Sequence, residues 1–507
     1  MKLRFYGLLL TVFLFSFSAC KIQDEFDDLK NNYHPEIAAP LFYAKTSFKA
    51  IVGNKASALK VDNSGKMRLY YKGTVSERKA TDALQIFPPS GIQVPFPDTV
   101  TVRAFPGDLD LYRVDLSKKT ILTLGGQVPA GFTKQIVEGT ITFPNFTKNG
   151  VPFQYAFSQE MTAGAIIIFG NFPLEGYTIK FDTGSKLTFK YQAKTKTGGQ
   201  DVKLFMAANI QNVGFAYCEA FLDKKDLLLS PGSVDLDFYD EQAQGSLNFE
   251  DPRITVLLEN SYGFPMRTKI NYIKSISITN DTVQLNAKGL TDIDFPFPFP
   301  NNMEVGQTKR FAYDFTPKTS NIKDILNSKP KQIIYSIDVV ANPEGIKTPG
   351  FITDSTTLKI GIEVDIPLYG TSKDFVVKQD FQDIDFKTAL ANASEAELKL
   401  VADNSLPVEV LAQIDFLDAN GKVLTQAAAT PFKIIQAASV DKSGNVTKPS
   451  SNETFIKFDV AKTELLRQCT KAQVKFYFST SNNGTIPVSI LATQEVNLRM
   501  GVRAVIK

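Results

Sequence analysis

The chain has 507 residues, with 56 Lys and Arg against 53 Asp and Glu and a formal net charge of +3. That near balance, without a long basic run, leaves no electrostatic footprint for nucleic acid. One histidine and three cysteines supply little for a Ser-His-Asp or Cys-His centre or an imidazole-built zinc site, so no catalytic residue, metal or cofactor is expected.

The first nineteen residues carry a basic start at Lys2 and Arg4, an apolar middle from Gly7 to Phe17, and small residues Ser18-Ala19 before Cys20. The apolar run is shorter than the roughly 18 residues a membrane-crossing helix needs, and its layout is that of a cleaved targeting segment. It resembles a bacterial lipoprotein signal, in which the chain is cut before the cysteine and the new terminus is acylated. The resemblance implies removal of residues 1–19 and lipidation of Cys20, palmitate included. One acyl chain holds a protein to a membrane only marginally, at about 0.8 kcal/mol per buried methylene; the several chains of a bacterial lipoprotein hold it durably. Residues 20–36 read as an acidic tether, with Asp24, Glu25, Asp27 and Asp28 close behind Cys20. This stretch resembles the export signal of surface-displayed lipoproteins of the Bacteroidota, which implies an outer-membrane protein facing the cell surface; a plain solvated spacer is the competing reading.

From about residue 37 the hydrophobic pattern has a period of two. Met67–Lys72, Lys186–Tyr191, Leu358–Ile366, Lys475–Phe478 and Val496–Met500 alternate apolar and polar residues, the mark of half-buried antiparallel strands. Asp-x-x-Gly turns recur at Asp62–Gly65, Asp418–Gly421 and Asp441–Gly444; aspartate bonds its own backbone and glycine takes the positive-φ position. Helices are short: Ser320–Leu326, stopping before Pro330, and a segment capped by Asp459 that runs to Gln468. The expected fold class is all-β, with several antiparallel β-sandwich domains in series and a few short helices. Their limits are placed at 37–135, 136–372 and 376–507, with Gly370-Thr371-Ser372-Lys373 as the linker.

A weak repeat runs through the strands: an alternating stretch, an asparagine, then a Pro or Gly corner. Its copies are Asp251–Pro265 around Asn260, Ala396–Val408 around Asn404, and the looser Ile337–Gly345 around Asn342. Asparagine tolerates the left-handed conformation and proline stops the ladder; the pattern resembles late-embryogenesis-type-2 or fibronectin-like sandwiches. Two proline-aromatic stretches interrupt the strands, Phe87–Pro97 and Phe295–Pro300. In the second, Phe295, Phe297 and Phe299 are candidate partner contacts, because extended proline segments lose little entropy on binding. The competing reading folds the rings back over a sandwich end. Cys218 and Cys469 fit two buried thiols better than a disulfide, and neither belongs to a C-x-x-C pair.

Taken together, the lipobox, the opening Pro35-Glu36-Ile37-Ala38-Ala39-Pro40-Leu41 and the corner before Phe416-Leu417-Asp418-Ala419-Asn420-Gly421 resemble the large envelope lipoproteins of Bacteroidota. That resemblance implies no activity. The expected function is non-catalytic binding or scaffolding at the outer membrane, with the membrane engaged through the lipid anchor and an envelope protein or glycan as partner. The 40 phenylalanines keep open the carriage of a lipid or other apolar ligand. A carboxylate-dependent glycan hydrolase is the remaining alternative, though no acidic pair is singled out and tryptophan, the usual sugar platform, is absent.

Overall fold

Alternation in sequence becomes pleat in space. Met67–Lys72 and Lys186–Thr195 bury every second side chain, because successive residues of a strand face opposite sides of a sheet. In the computed structural model, which describes residues 36–47, 58–84, 91–103, 109–117, 119–239, 244–287 and 297–506, strands make up 61% and helix 5% of the described residues. The fold is all-β, built of several antiparallel sheets, so any binding surface has to be made from sheet faces and loops. Cys20, His34 and Phe295 lie outside the described residues.

Six of the sheets pair off into three layered units. A four-stranded sheet of Ile166–Pro173, Ile121–Gln127, Phe205–Gln211 and Ile92–Phe96 covers an eight-stranded sheet that includes Gln135–Lys148 and Lys186–Thr195. Rings fill the space between them: Phe143 stands 4.8 Å from Phe189, 5.4 Å from Phe153 and 5.9 Å from Phe96. A second unit faces the six-stranded sheet around Thr357–Pro367 with the five-stranded sheet around Pro330–Ala341. There the Tyr71 hydroxyl donates to Asp237 at 3.1 Å and the Thr74 amide to the Ser233 carbonyl at 3.0 Å. The third unit stacks a four-stranded sheet on a seven-stranded one, with Phe416 and Phe458 meeting at 6.0 Å.

The units are nested, not consecutive. Glu36–Ser47 lies along Glu495–Ile506 in the third unit. The chain then enters the middle unit through Met67–Lys72, which pairs with Thr357–Pro367. Next it builds the Phe-rich unit from Ile92 to Leu222, and returns to the middle through Lys225–Leu227. Gln244–Phe249 visits the third unit, pairing with Tyr369–Phe381, and Gly350–Thr353 reaches back to pair with Phe215–Leu222. The boundaries expected at 135 and 372 therefore cut through sheets: Val100–Arg103 pairs with Lys186–Thr195 across the first. Gly370–Lys373 is not a linker but part of the strand Tyr369–Phe381, where the buried Ser372 hydroxyl donates to the Phe478 carbonyl at 2.9 Å. Ser372 is satisfied inside the sheet while Lys373 faces solvent, so the polarity of this segment is that of one strand with two faces, not of a linker.

This nesting has a direct consequence for dissection. A fragment of residues 376–507 loses the Glu36–Ser47 partner of its last strand and the start of Tyr369–Phe381. It is expected to self-associate through the bared edge, as read by size-exclusion chromatography, whereas joining 36–47 to 369–507 should improve solubility. A monomeric, cooperatively unfolding 376–507 fragment would contradict the nested arrangement.

The turns and helix ends follow the local chemistry. Asp62 Oδ1 accepts from the Ser64 hydroxyl at 2.7 Å and from the Ser64 and Lys66 amides at 2.9 and 3.0 Å, with Gly65 at φ +79°. The Ser64 hydroxyl, helped by these amides, holds the Asp62 carboxyl below the usual range; at Asp441 the Asn445 amide does the same. Asp459 caps the helix Val460–Leu466 by accepting from the Lys462 amide at 2.8 Å. In the helix Ile322–Asn327 the residue before the first turn, Asn321, caps nothing. Its amide instead donates to the Gln284 carbonyl and accepts from the Asn286 amide, tying the helix to a neighbouring segment.

The three repeat asparagines share one role. All are buried, and each bonds the backbone of its own corner. Asn404 donates to the carbonyls of Leu406, Val408 and Gln436 and accepts from the Leu406 amide at 2.8 Å. Asn342 donates to Leu222 and Ile346 and accepts from Ile346; Asn260 donates to Pro298 and accepts from Tyr262. Only Asn342 has positive φ, at +44°. The side-chain amide, not left-handed backbone, is what the corner requires.

Candidate functional site: an uncharged sheet face

The residues singled out by sequence do not come together. Phe297 is buried: its backbone bridges Met266, and the next carbonyl, Pro298, accepts from Asn260. It belongs to the core of the middle unit and is corrected from partner contact to packing residue, because the asparagine corner draws the loop inward. Phe299 is 39% exposed, and Phe295 lies outside the described residues. The other proline-aromatic stretch is also a surprise: Val94-Pro95-Phe96 is strand, not loop, with Phe96 in the ring cluster. Proline is tolerated there because Ile92–Phe96 is an edge strand. Cys218 and Cys469 are both free, buried thiols; burial pushes the Cys469 thiol up to about 11.

A surface that sequence reasoning missed lies on the outside of that same four-stranded sheet. Leu122 and Leu124, Met206, Ala208 and Ile210, and Ile92, Val94 and Phe96 are buried against the other sheet. Period two then turns Thr123 and Gly125, Ala207 and Asn209, and Gln93 and Pro95 outward. On Ile166–Pro173 the irregularity between Ile168 and Gly170 re-phases the strand, so that Asn171 falls opposite Thr123. The Thr123 hydroxyl donates to Asn171 Oδ1 at 2.7 Å, which fixes both on the same side.

The register lines these side chains into rows across the strands. Asn171, Thr123, Asn209 and Gln93 are successive cross-strand neighbours. So are Ile168, Gly125, Ala207 and Pro95 in the next row. Beyond it Ile166, Gln127 and Phe205 stand side by side. Ile166 is 81%, Ile168 73% and Phe205 60% exposed. At about 4.8 Å between strands the polar row is about 14 Å long, and at about 3.4 Å per residue the rows are about 7 Å apart. Among the described residues neither the Gln93 nor the Asn209 side-chain amide has a hydrogen-bond partner.

None of the four strands contains an ionisable residue. Elsewhere the outward rows are laced with ion pairs: Lys399–Glu453 at 3.0 Å, Arg310–Glu259 at 2.9 Å, Lys72–Glu363 at 3.0 Å and Lys475–Asp415 at 3.4 Å. In a chain that is 21% charged, stretches of this combined length would ordinarily carry several charges. Their absence was visible in the sequence, segment by segment. That the four segments form one face was not, since only the register joins them.

No protein-family model matches the chain, and no curated protein matches it in sequence. Among solved structures, a protein of Parabacteroides distasonis ATCC 8503 described as secreted is 11% identical, with a TM-score of 0.28 over 57% of this chain and 89% of that one. A structure of infectious bursal disease virus, Gx strain, is 9% identical with a TM-score of 0.13, covering 88% and 80%. The exported protein XepA of PBSX is 12% identical with a TM-score of 0.14, covering 60% and 97%. Likeness at this level transfers neither a fold nor a function to the chain.

Proposed function

We propose that the chain is a non-catalytic binding lipoprotein of the bacterial outer membrane, anchored through acylated Cys20 and engaging its partner through the uncharged face. The observation that carries the binding role is that face: a charge-free sheet surface with an apolar row and unpartnered amides, on a molecule in which three of the other sheets carry cross-strand ion pairs. A solvated surface with no partner is normally charged and broken up. The face holds no carboxylate, imidazole or thiol, and its one hydroxyl, Thr123, has no base beside it, so it binds without turning its ligand over. Carriage of an apolar ligand between sheets is disfavoured in the Phe-rich unit, where the chain's own rings occupy the space. The anchor rests on residues 1–20 and their resemblance to a lipoprotein signal.

Two experiments test this reading. Replacing Cys20 with serine should move the protein out of the membrane fraction; an unprocessed protein that still pellets in equal amount would defeat the anchor. Crosslinking in intact cells should capture neighbours that are lost when Ile168 is replaced by glutamate, which puts a charge on the face without touching the core. An unchanged set of neighbours would remove the face from the binding role.

A further inference from the structure

We infer that the uncharged face binds a neutral polysaccharide, laid across the four strands along the row Asn171–Thr123–Asn209–Gln93. This rests on the binding role proposed above and names its ligand class.

Each side-chain amide offers both donors and an acceptor. That matches hydroxyls, which donate and accept in turn, and it matches neither a phosphate, which only accepts, nor an ammonium, which only donates. Thr123 is already held by Asn171, so two of the row's members are fixed relative to each other before a ligand arrives, and preorganisation of this kind lowers the cost of binding. Gln93 and Asn209 keep their amides for the ligand. Alongside runs the flat row of Ile168, Gly125, Ala207 and Pro95. It suits the C–H face of a sugar ring, with the exposed ring of Phe205 one row further on. Tryptophan is absent from the whole chain, and Phe205 is the aromatic available at this face. The length of the polar row, about 14 Å, accommodates a few sugar units in succession, which favours a polymer over a single small molecule.

Charge and area select this occupant over a protein. The four strands carry no ionisable group, so an anionic or cationic polymer finds nothing complementary; the nearest outward charge along the Phe205 strand is Lys203, two residues before it. Four strands and three rows give an area of about 400 Å², about half of the 800 Å² or so that each partner of a standard protein interface buries. A second copy of the chain docked here would be short of contact, whereas an extended glycan needs no more.

The test uses the full chain in detergent and affinity electrophoresis through gels containing dextran, mannan, xylan or a β-glucan, with heparin and polygalacturonate as charged comparators. At least one neutral polysaccharide should retard the protein and the charged ones should not. Asn209→Ala combined with Gln93→Ala, and separately Phe205→Ala, should each weaken that retention about tenfold or more, while Lys399→Ala on another sheet leaves it unchanged. Folding of each variant is checked by its melting curve, since all three side chains point away from the core. Retention by no neutral polysaccharide, retention by the charged polymers alone, or retention unaffected by these variants would overturn the inference. So would a dimer in sedimentation that Ile168→Glu dissociates. Should no glycan bind while the crosslinked neighbours still depend on Ile168, the glycan falls and the binding role stands. Should both results be negative, both fall.

Discussion

Replacing Asn404 with alanine is expected to destabilise the C-terminal unit by about 2–4 kcal/mol. The side chain is 1% exposed and serves four backbone groups: the Leu406 amide at 2.8 Å, and the carbonyls of Leu406, Val408 and Gln436 at 2.9, 3.1 and 2.7 Å. Alanine leaves these groups without their partner where water has little access, and an unmet buried group costs about 1–3 kcal/mol. The corner will relax and recover part of this, which sets the total below the sum of its members. In a unit of this size the thermal midpoint should fall by about 5–15 °C. The equivalent change at Asn260 should be the mildest of the three, because that amide makes two bonds. Asn342→Ala should approach Asn404→Ala, since it loses three bonds and also places alanine at φ +44°, a left-handed conformation that asparagine tolerates better than alanine. A midpoint for Asn404→Ala within a degree of the parent would show that the corner holds itself by packing alone.

Phe143→Ala is expected to cost about 3–5 kcal/mol in the Phe-rich unit. The ring is fully buried, and four others surround it: Phe189 at 4.8 Å, Phe153 at 5.4 Å, Phe146 at 5.8 Å and Phe96 at 5.9 Å. Removing it withdraws the transfer energy of a phenyl group and opens a cavity that rigid neighbouring rings close poorly. Urea unfolding should show a lower midpoint with an unchanged slope. Combined with Asn404→Ala the losses should add, because the two sites share no partner and lie in different units. As a contrast, Ile168→Ala on the outer face should change stability by no more than about 0.5 kcal/mol. A loss at Ile168 as large as that at Phe143 would mean the outer face is packed against something, and its treatment as a free surface would be wrong.

The two faces of the strand Ile166–Pro173 show the division of labour. Its inward residue Phe169 meets the Phe157 ring at 4.7 Å, while Ile166 and Ile168 on the other side touch solvent. Hydrophobicity alone does not separate these residues, and a run of three isoleucines and a phenylalanine reads from sequence as continuous apolar strand. The alternation is legible only once the other sheet takes one side. For the same reason the proline-aromatic stretches admit both exposed and folded-back rings from sequence; Phe96 and Phe297 are buried, and the exposed apolar surface comes instead from isoleucines on the strand Ile166–Pro173.

What the sequence by itself determined is everything governed by neighbours within a few residues: the strand periodicity, the Asp-x-x-Gly turns, the Asp459 cap and the recurrent asparagine at a corner. The turns, the cap and the asparagines' bonds within their own corners close over two to five residues, so the local chain carries them; the same asparagines' bonds to Gln436, Leu222 and Pro298 came only with the tertiary structure. Pairing was decided only by the tertiary structure. Glu36–Ser47 finds its partner at the far end of the chain in Glu495–Ile506, and nothing in either alternating segment specifies the other, because any strand offers the same row of backbone donors and acceptors. The nesting of the units followed from such long-range pairings. So did the assembly of four separate uncharged segments into one face, since a ligand surface on a sheet exists only across strands and never along one.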